Sequence, residues 1–243
     1  TGTFLVLIPF LANAQTGTIK GVVLDATTYD RLPFASVYIN YTTIGTAANE
    51  QGEFTLRNIP LGQQELIITF VGHHNFQSKI TIKDTAAQVL TFHLHSNELL
   101  KEVKVYSKKE KSWERQYEKF KKMFLGNSIY AAGCEILNPW ILDFKMDNKG
   151  FFYAMTSDVL QIENYRLGYT LFYQLKNFKV GSTEYIIEGN IRFKPIESTD
   201  SATLKAWEQN RLDVYMGSSR PLFTAIISRT IKEDGFVLYQ DNT

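Results

Sequence analysis

Between residues 16 and 106, short β-branched and aromatic runs alternate with turn signals at intervals of eight to twelve residues. That cadence admits strands and excludes long helices, because no run is long enough to repeat an apolar stripe with helical period. The runs are Thr18–Leu24, Phe34–Asn40, Glu53–Leu56, Glu65–Val71, Lys79–Ile82, Val89–Leu94 and Glu102–Tyr106. In Phe34–Asn40 the alternation puts Phe34, Ser36, Tyr38 and Asn40 on one face and Ala35, Val37 and Ile39 on the other. Asn49-Glu50-Gln51-Gly52 and Ile59-Pro60-Leu61-Gly62 read as turns. Gly52 suits a hairpin tip that needs positive φ, and Gly21 inside a strand predicts a bulge or a close backbone approach. The pattern predicts an antiparallel β-sandwich over residues 16–106, with Phe54, Ile67 and Phe70 as core candidates between the sheets.

Composition narrows the class. The chain has 243 residues, 44% hydrophobic and 21% charged, which excludes bulk disorder. With 26 Lys+Arg against 25 Asp+Glu, the net charge of +1 argues against a whole-protein electrostatic grip on nucleic acid. One cysteine, Cys134, excludes an internal disulfide framework and a cysteine-cluster metal site.

The run from Thr16 to His74 also resembles the carboxypeptidase regulatory-like domain, in the version found in outer-membrane TonB-dependent receptors and other envelope proteins of Bacteroidetes. The matching positions are Gly21, Val22 and Asp25, then Leu32-Pro33 before Phe34–Ile39. Gly45-Thr46 and Asn49–Phe54 resemble the family's G-T-x-T-D-x-x-G-x-F stretch. Ile59–Gly62 with Leu66–Phe70 and Val71-Gly72 resembles its P-x-G-x-x-L-x-x-S-x-x-G stretch. Asn49 stands where Asp is usual, and Thr69-Phe70 replaces a Ser-Tyr pair. The resemblance implies a transthyretin-like sandwich with a binding or scaffolding role and no peptidase activity.

Residues 107–243 read differently. Lys108–Leu125 is predicted helical, since Trp113, Tyr117, Phe120 and Phe124 recur at spacings of four, three and four. Its lysines read as the solvated face of an amphipathic helix, and Glu118 with Lys122 as a favourable ion pair. Strand candidates follow at Ile141–Met146, Phe151–Thr156, Val159–Glu163, Tyr169–Phe178 and Glu184–Phe193, with Asp147–Gly150 as a hairpin turn. Ala202–Tyr215 and Pro221–Ile231 read as helices, and Phe236–Tyr239 as a last extended stretch. The whole is a β-sandwich N-terminal domain followed by an α+β region. Scattered positions, among them Leu137-Asn138-Pro139 and Tyr215–Ser218, resemble a region that follows such a domain in other Bacteroidetes envelope proteins. That adds a location and no mechanism.

At the start, Phe4–Leu11 is an apolar run interrupted only by Pro9, and Ala12-Asn13-Ala14 supplies a small-x-small cleavage pattern before Gln15. Residues 1–14 are therefore predicted to be the remnant of a signal peptide, and the mature fragment to be exported to the periplasm or the outer membrane. No segment reaches membrane-spanning length. The polar end VLYQDNT reads as a chain that continues.

Motifs that carry chemistry are sparse. His93 and His95, two apart in a strand, share a face that could hold a metal with His73 or His74 nearby, but solvated strand histidines are the simpler reading. Asp143 and Asp147 sit around a strand end and turn, and paired-carboxylate hydrolysis needs two carboxylates at a defined separation, which sequence does not show. Gly217-Ser218-Ser219 before Pro221 reads as an ordinary helix cap rather than an anion site. Cys134 reads as a structural thiol. No nucleophile elbow, phosphate loop or H-E-x-x-H motif occurs. Tyr29, Tyr38 and Tyr41 lie near strand ends, where a glycan could stack, although a tyrosine edging the core explains each at least as well; Tyr38 and Tyr41 are the candidate ligand-binding residues.

The expectation is thus a non-enzymatic envelope binding or scaffold protein without catalytic residues, metal or cofactor. Its partner would be an envelope protein or a glycan. The alternatives are a carbohydrate-binding module, or an accessory part of a larger envelope hydrolase or outer-membrane receptor.

Overall fold

The computed structural model describes residues 15–97 and 111–237. The expected leader remnant (1–14), the strand at 102–106, the joint at 107–110 and half of the last extended stretch lie outside the described residues.

Residues 16–94 form two facing sheets. One has the order β4-β1-β7, from β1 (Thr16–Asp25), β4 (Glu53–Pro60) and β7 (Ala87–Leu94). The other has the order β3-β2-β5-β6, from β2 (Ser36–Ile39), β3 (Gly45–Ala47), β5 (Gly62–Thr69) and β6 (Phe76–Ile82). Alternation decides what lies between them. Ile19 and Val23 of β1, Val37 and Ile39 of β2, Phe54 and Leu56 of β4, and Leu66 and Ile68 of β5 all enter one buried cluster. Each such side chain contributes about 1.5–3 kcal/mol by leaving water. Gly21 is a close approach: a Cβ there would sit 2.6 Å from the Leu90 carbonyl oxygen and against the Phe54 ring. Gly52 takes φ +68 in its turn, as the turn signal predicts.

Two expectations need correction. The sandwich is not antiparallel throughout, because β1 and β7 run parallel over eight residue pairs. The chain between β1 and β7 passes through β2 to β6, and that length supplies the long connection a parallel pair requires. Ile67 is buried but outside the sandwich cluster. Its neighbours Leu66 and Ile68 face inward, so Ile67 points the other way, level with Tyr38 of β2.

The second part begins with α1 (Lys111–Leu125). A six-stranded sheet follows, formed by β8 (Cys134–Ile136), β9 (Leu142–Met146), β10 (Phe152–Thr156), β11 (Leu160–Asn164), β12 (Tyr169–Val180) and β13 (Tyr185–Pro195). The long β12 organises it: β11 and β10 pair with successive parts of one edge, and β13 covers the other. The aromatic stripe of α1 lies on this sheet, as its spacing predicts. Phe120 is fully buried, with ring centroids 4.9 Å from Phe124, 5.0 Å from Phe178 and 5.6 Å from Phe144. Trp113 stacks on Tyr117 and donates its indole N–H to the Leu142 carbonyl. On the solvent side Glu118 pairs with Lys121 rather than with Lys122.

Asp200 caps α2 (Ser201–Met216) by accepting from the Ala202 and Thr203 amides. Trp207 anchors the helix by donating to the Tyr165 carbonyl, and Arg211 donates to the Leu167 and Gly168 carbonyls. The next helix, α3 (Arg220–Ser228), is shorter than predicted, because Arg229 turns left-handed at φ 60. No helix among the described residues is long and apolar enough to cross a membrane.

The two parts meet along β13. Its edge away from β12 receives residues 40–42: the Tyr41 amide donates to the Ile191 carbonyl, and the Phe193 amide donates to the Thr42 carbonyl, both at 2.9 Å. Thr42 and Arg192 form a parallel bridge. The sandwich thereby supplies a short extra strand to the neighbouring sheet.

Candidate functional site

The groups singled out from sequence do not converge. Asp25 is buried at the end of β1 and accepts from the Thr27 and Thr28 amides at 2.7 and 2.9 Å. Its other oxygen lies 2.8 Å from His73 Nε2. These amide hydrogen bonds, with the His73 ring after them, bring the Asp25 carboxyl from its ordinary 3.8 down to about 2. A folded-state pKa below the unfolded value adds stability above pH 3.8 that is lost as pH falls towards 2. Asp25→Asn is therefore expected to flatten the melting-temperature profile between pH 4 and 2, relative to wild type. A wild-type profile already flat there would refute the assignment.

His93 meets the Tyr29 ring edge-on at 5.6 Å, and His95 is exposed just past β7. Among the described residues no three His, Cys, Asp or Glu side chains are placed to hold a metal ion. Asp147 organises its own hairpin, accepting from the Lys149 and Phe151 amides and from the Tyr153 hydroxyl. Cys134 is half-buried, its thiol directed at the Tyr130 carbonyl, and burial pushes its pKa up. At the start of α3 the Ser219 side chain makes no cap bond; Ser218 Oγ accepts from the Arg220 amide instead.

The two candidate tyrosines part company. Tyr41 is 58% exposed at φ 61 and borders the contact with β13. Tyr38 is only 6% exposed and does not present a ring for stacking. It lies on the face of β2 turned away from the sandwich core, beside Arg192 of β13, and burial raises its hydroxyl to about 12.

What gathers here instead is a buried polar junction that sequence reasoning did not single out. Asn40 donates to Glu65 Oε2 at 2.7 Å and to Asn190 Oδ1 at 3.3 Å, while its own Oδ1 accepts from the Ile191 amide at 2.9 Å. Asn190 passes the chain on to Gln174. Gln77 donates to the other oxygen of Glu65 and in turn accepts from Lys176. The Asn40 and Gln77 amides together hold the Glu65 carboxyl below its ordinary range. Asn40 and Asn190 are both buried. Among the described residues, the arrangement leaves no buried side-chain polar atom without a partner. The only signal in the sequence was a polar residue, Asn40, closing an alternating strand, and that reads equally well as a strand end.

Residues 19–105 match the family model of the CarboxypepD_reg-like domain. No curated protein matches the chain. Among solved structures, a type II cohesin–X–dockerin complex from Acetivibrio cellulolyticus is 18% identical over 31% of this chain and 52% of that one, at a TM-score of 0.27. Catechol 1,2-dioxygenase from Acinetobacter sp. ADP1 is 12% identical over 42% and 60%, at 0.32. A candidate carbohydrate binding protein from Bacteroides uniformis is 11% identical over 76% and 75%, at 0.28. The chain spans about half the length of the first of these and three-fifths of the second. Likeness at this level carries no argument about function.

Proposed function

With a CarboxypepD_reg-like domain at residues 19–105 as premise, we propose that the chain is a non-enzymatic binding or scaffold protein of the cell envelope. In this reading residues 1–14 are the remnant of an export leader, 16–106 the binding module and 107–243 an α+β partner that holds it. The observation that carries it is the saturated junction around Asn40, which ties the module to β13 through a hydrogen-bond network. A spacer needs a fixed orientation, and a network with every buried group paired supplies one. The contact requires no cofactor.

The test has two readouts. Fractionation of cells expressing the tagged natural protein is expected to place it in the periplasm or outer membrane; a cytosolic pool would overturn the export reading. Purified protein is expected to leave peptide, ester and glycoside panels unchanged. Turnover that copurifies with the chain and responds to its mutation would overturn the non-enzymatic reading. A glycan partner is a second reading, and of the two tyrosines named above it keeps only Tyr41, whose ring is accessible.

A further inference from the structure

The two outer faces of the sandwich have different fates. The face of β3-β2-β5-β6 that carries Tyr38 and Asn40 is occupied by β13. On the other sheet, an open trough of about 730 Å³ crosses β4-β1-β7 and reaches Thr46, Ala47 and Asn49 at its β3 side. Register fixes what lines it. Lys20 of β1 stands between Thr55 of β4 and Val89 of β7, and Val22 lies next along β1, with Thr91 beside it. Arg57, two residues beyond Thr55, is a diagonal neighbour of Lys20, about 7–8 Å away. Val89 is 78% exposed. Glu53, the acid at the trough, is paired with Arg31, whereas the side chains of Lys20 and Arg57 make no hydrogen bond or ion pair among the described residues. The trough thus offers two cations without an ion pair of their own, with Glu53 diagonal to Lys20 on the other side, threonine hydroxyls and a shallow apolar floor.

We propose that this trough binds an acidic polysaccharide, a chain of hydroxylated rings bearing carboxylates. Cations two residues apart on neighbouring strands engage successive carboxylates, while Thr55 and Thr91 face ring hydroxyls. An acidic peptide fits less well. The central strand β1, which runs along the middle of the trough, is paired on both sides, so its amides and carbonyls have no bonds left for a peptide backbone. The inference rests on the reading of the sandwich as a binding module and adds the class of its ligand.

The experiment is affinity electrophoresis of the full chain through gels containing polygalacturonate, neutral dextran or poly-glutamate, at low and high salt. Retardation by polygalacturonate alone is expected, and it should weaken as salt screens the cations. The double variant Lys20→Glu, Arg57→Glu should bind roughly tenfold more weakly. Both residues are exposed, so its melting temperature should match wild type. Undiminished binding by the double variant, or loss of binding in Tyr41→Ala instead, would overturn the trough as the site. Retardation by poly-glutamate but not polygalacturonate would overturn the glycan and leave a binding module standing. Cleavage of polygalacturonate by the purified chain would instead overturn the non-enzymatic reading.

Discussion

Phe120→Ala is expected to remove about 3–5 kcal/mol of stability, a large share of the about 5–15 kcal/mol that native proteins possess. The side chain is fully buried where α1 crosses its sheet, and its ring touches Phe124 of the helix and Phe144 and Phe178 of β9 and β12. Alanine leaves a void among rings that are held from several sides and cannot collapse into it. Urea unfolding followed by tryptophan fluorescence reads the loss, because Trp113 sits in the same cluster, 5.7 Å from Phe144. A loss below about 1 kcal/mol would mean that the α1 face does not form the core described above.

The second large effect is at the junction. Asn40→Ala is expected to cost about 3 kcal/mol, since each buried group left without a partner costs about 1–3 kcal/mol. The Ile191 amide loses its side-chain acceptor, and Glu65 and Asn190 each lose a donor. The sandwich core is untouched, because Asn40 belongs to neither apolar cluster. The variant should therefore unfold in two steps where wild type unfolds in one, and its radius of gyration in solution scattering should rise. A single transition at the wild-type midpoint would show that the parts are held by something other than this network.

Much of the architecture was legible because alternation and spacing are local. The parity of Phe34–Asn40 correctly separated Val37 and Ile39 from Tyr38, and the four-three-four spacing found the buried face of α1. Parity says which side of a strand a residue takes, but not what lies on that side. Tyr38 and Ile67 were misread for this one reason. Tyr38 was named as a candidate for stacking a ligand and Ile67 as a sandwich-core residue, yet both belong to the face that looks towards β13. The parallel run of β7 along β1 escaped for a related reason, since a period of two is the same in either direction. The left-handed end of α3 at Arg229 had no glycine to announce it. At the site, Asn40 and Asn190 are 150 residues apart, and no local pattern links them. Lys20 and Arg57 become neighbours only through strand register.

The bridge from Thr42 to β13 has a bearing on how the halves coexist. The border strand of a sheet is self-adhesive, since its unused amides and carbonyls welcome any passing chain. Here the first half of the polypeptide plugs part of that border with its own backbone. The later half thus owes some of its resistance to clumping to the earlier one, and the sandwich guards its neighbour as well as standing beside it.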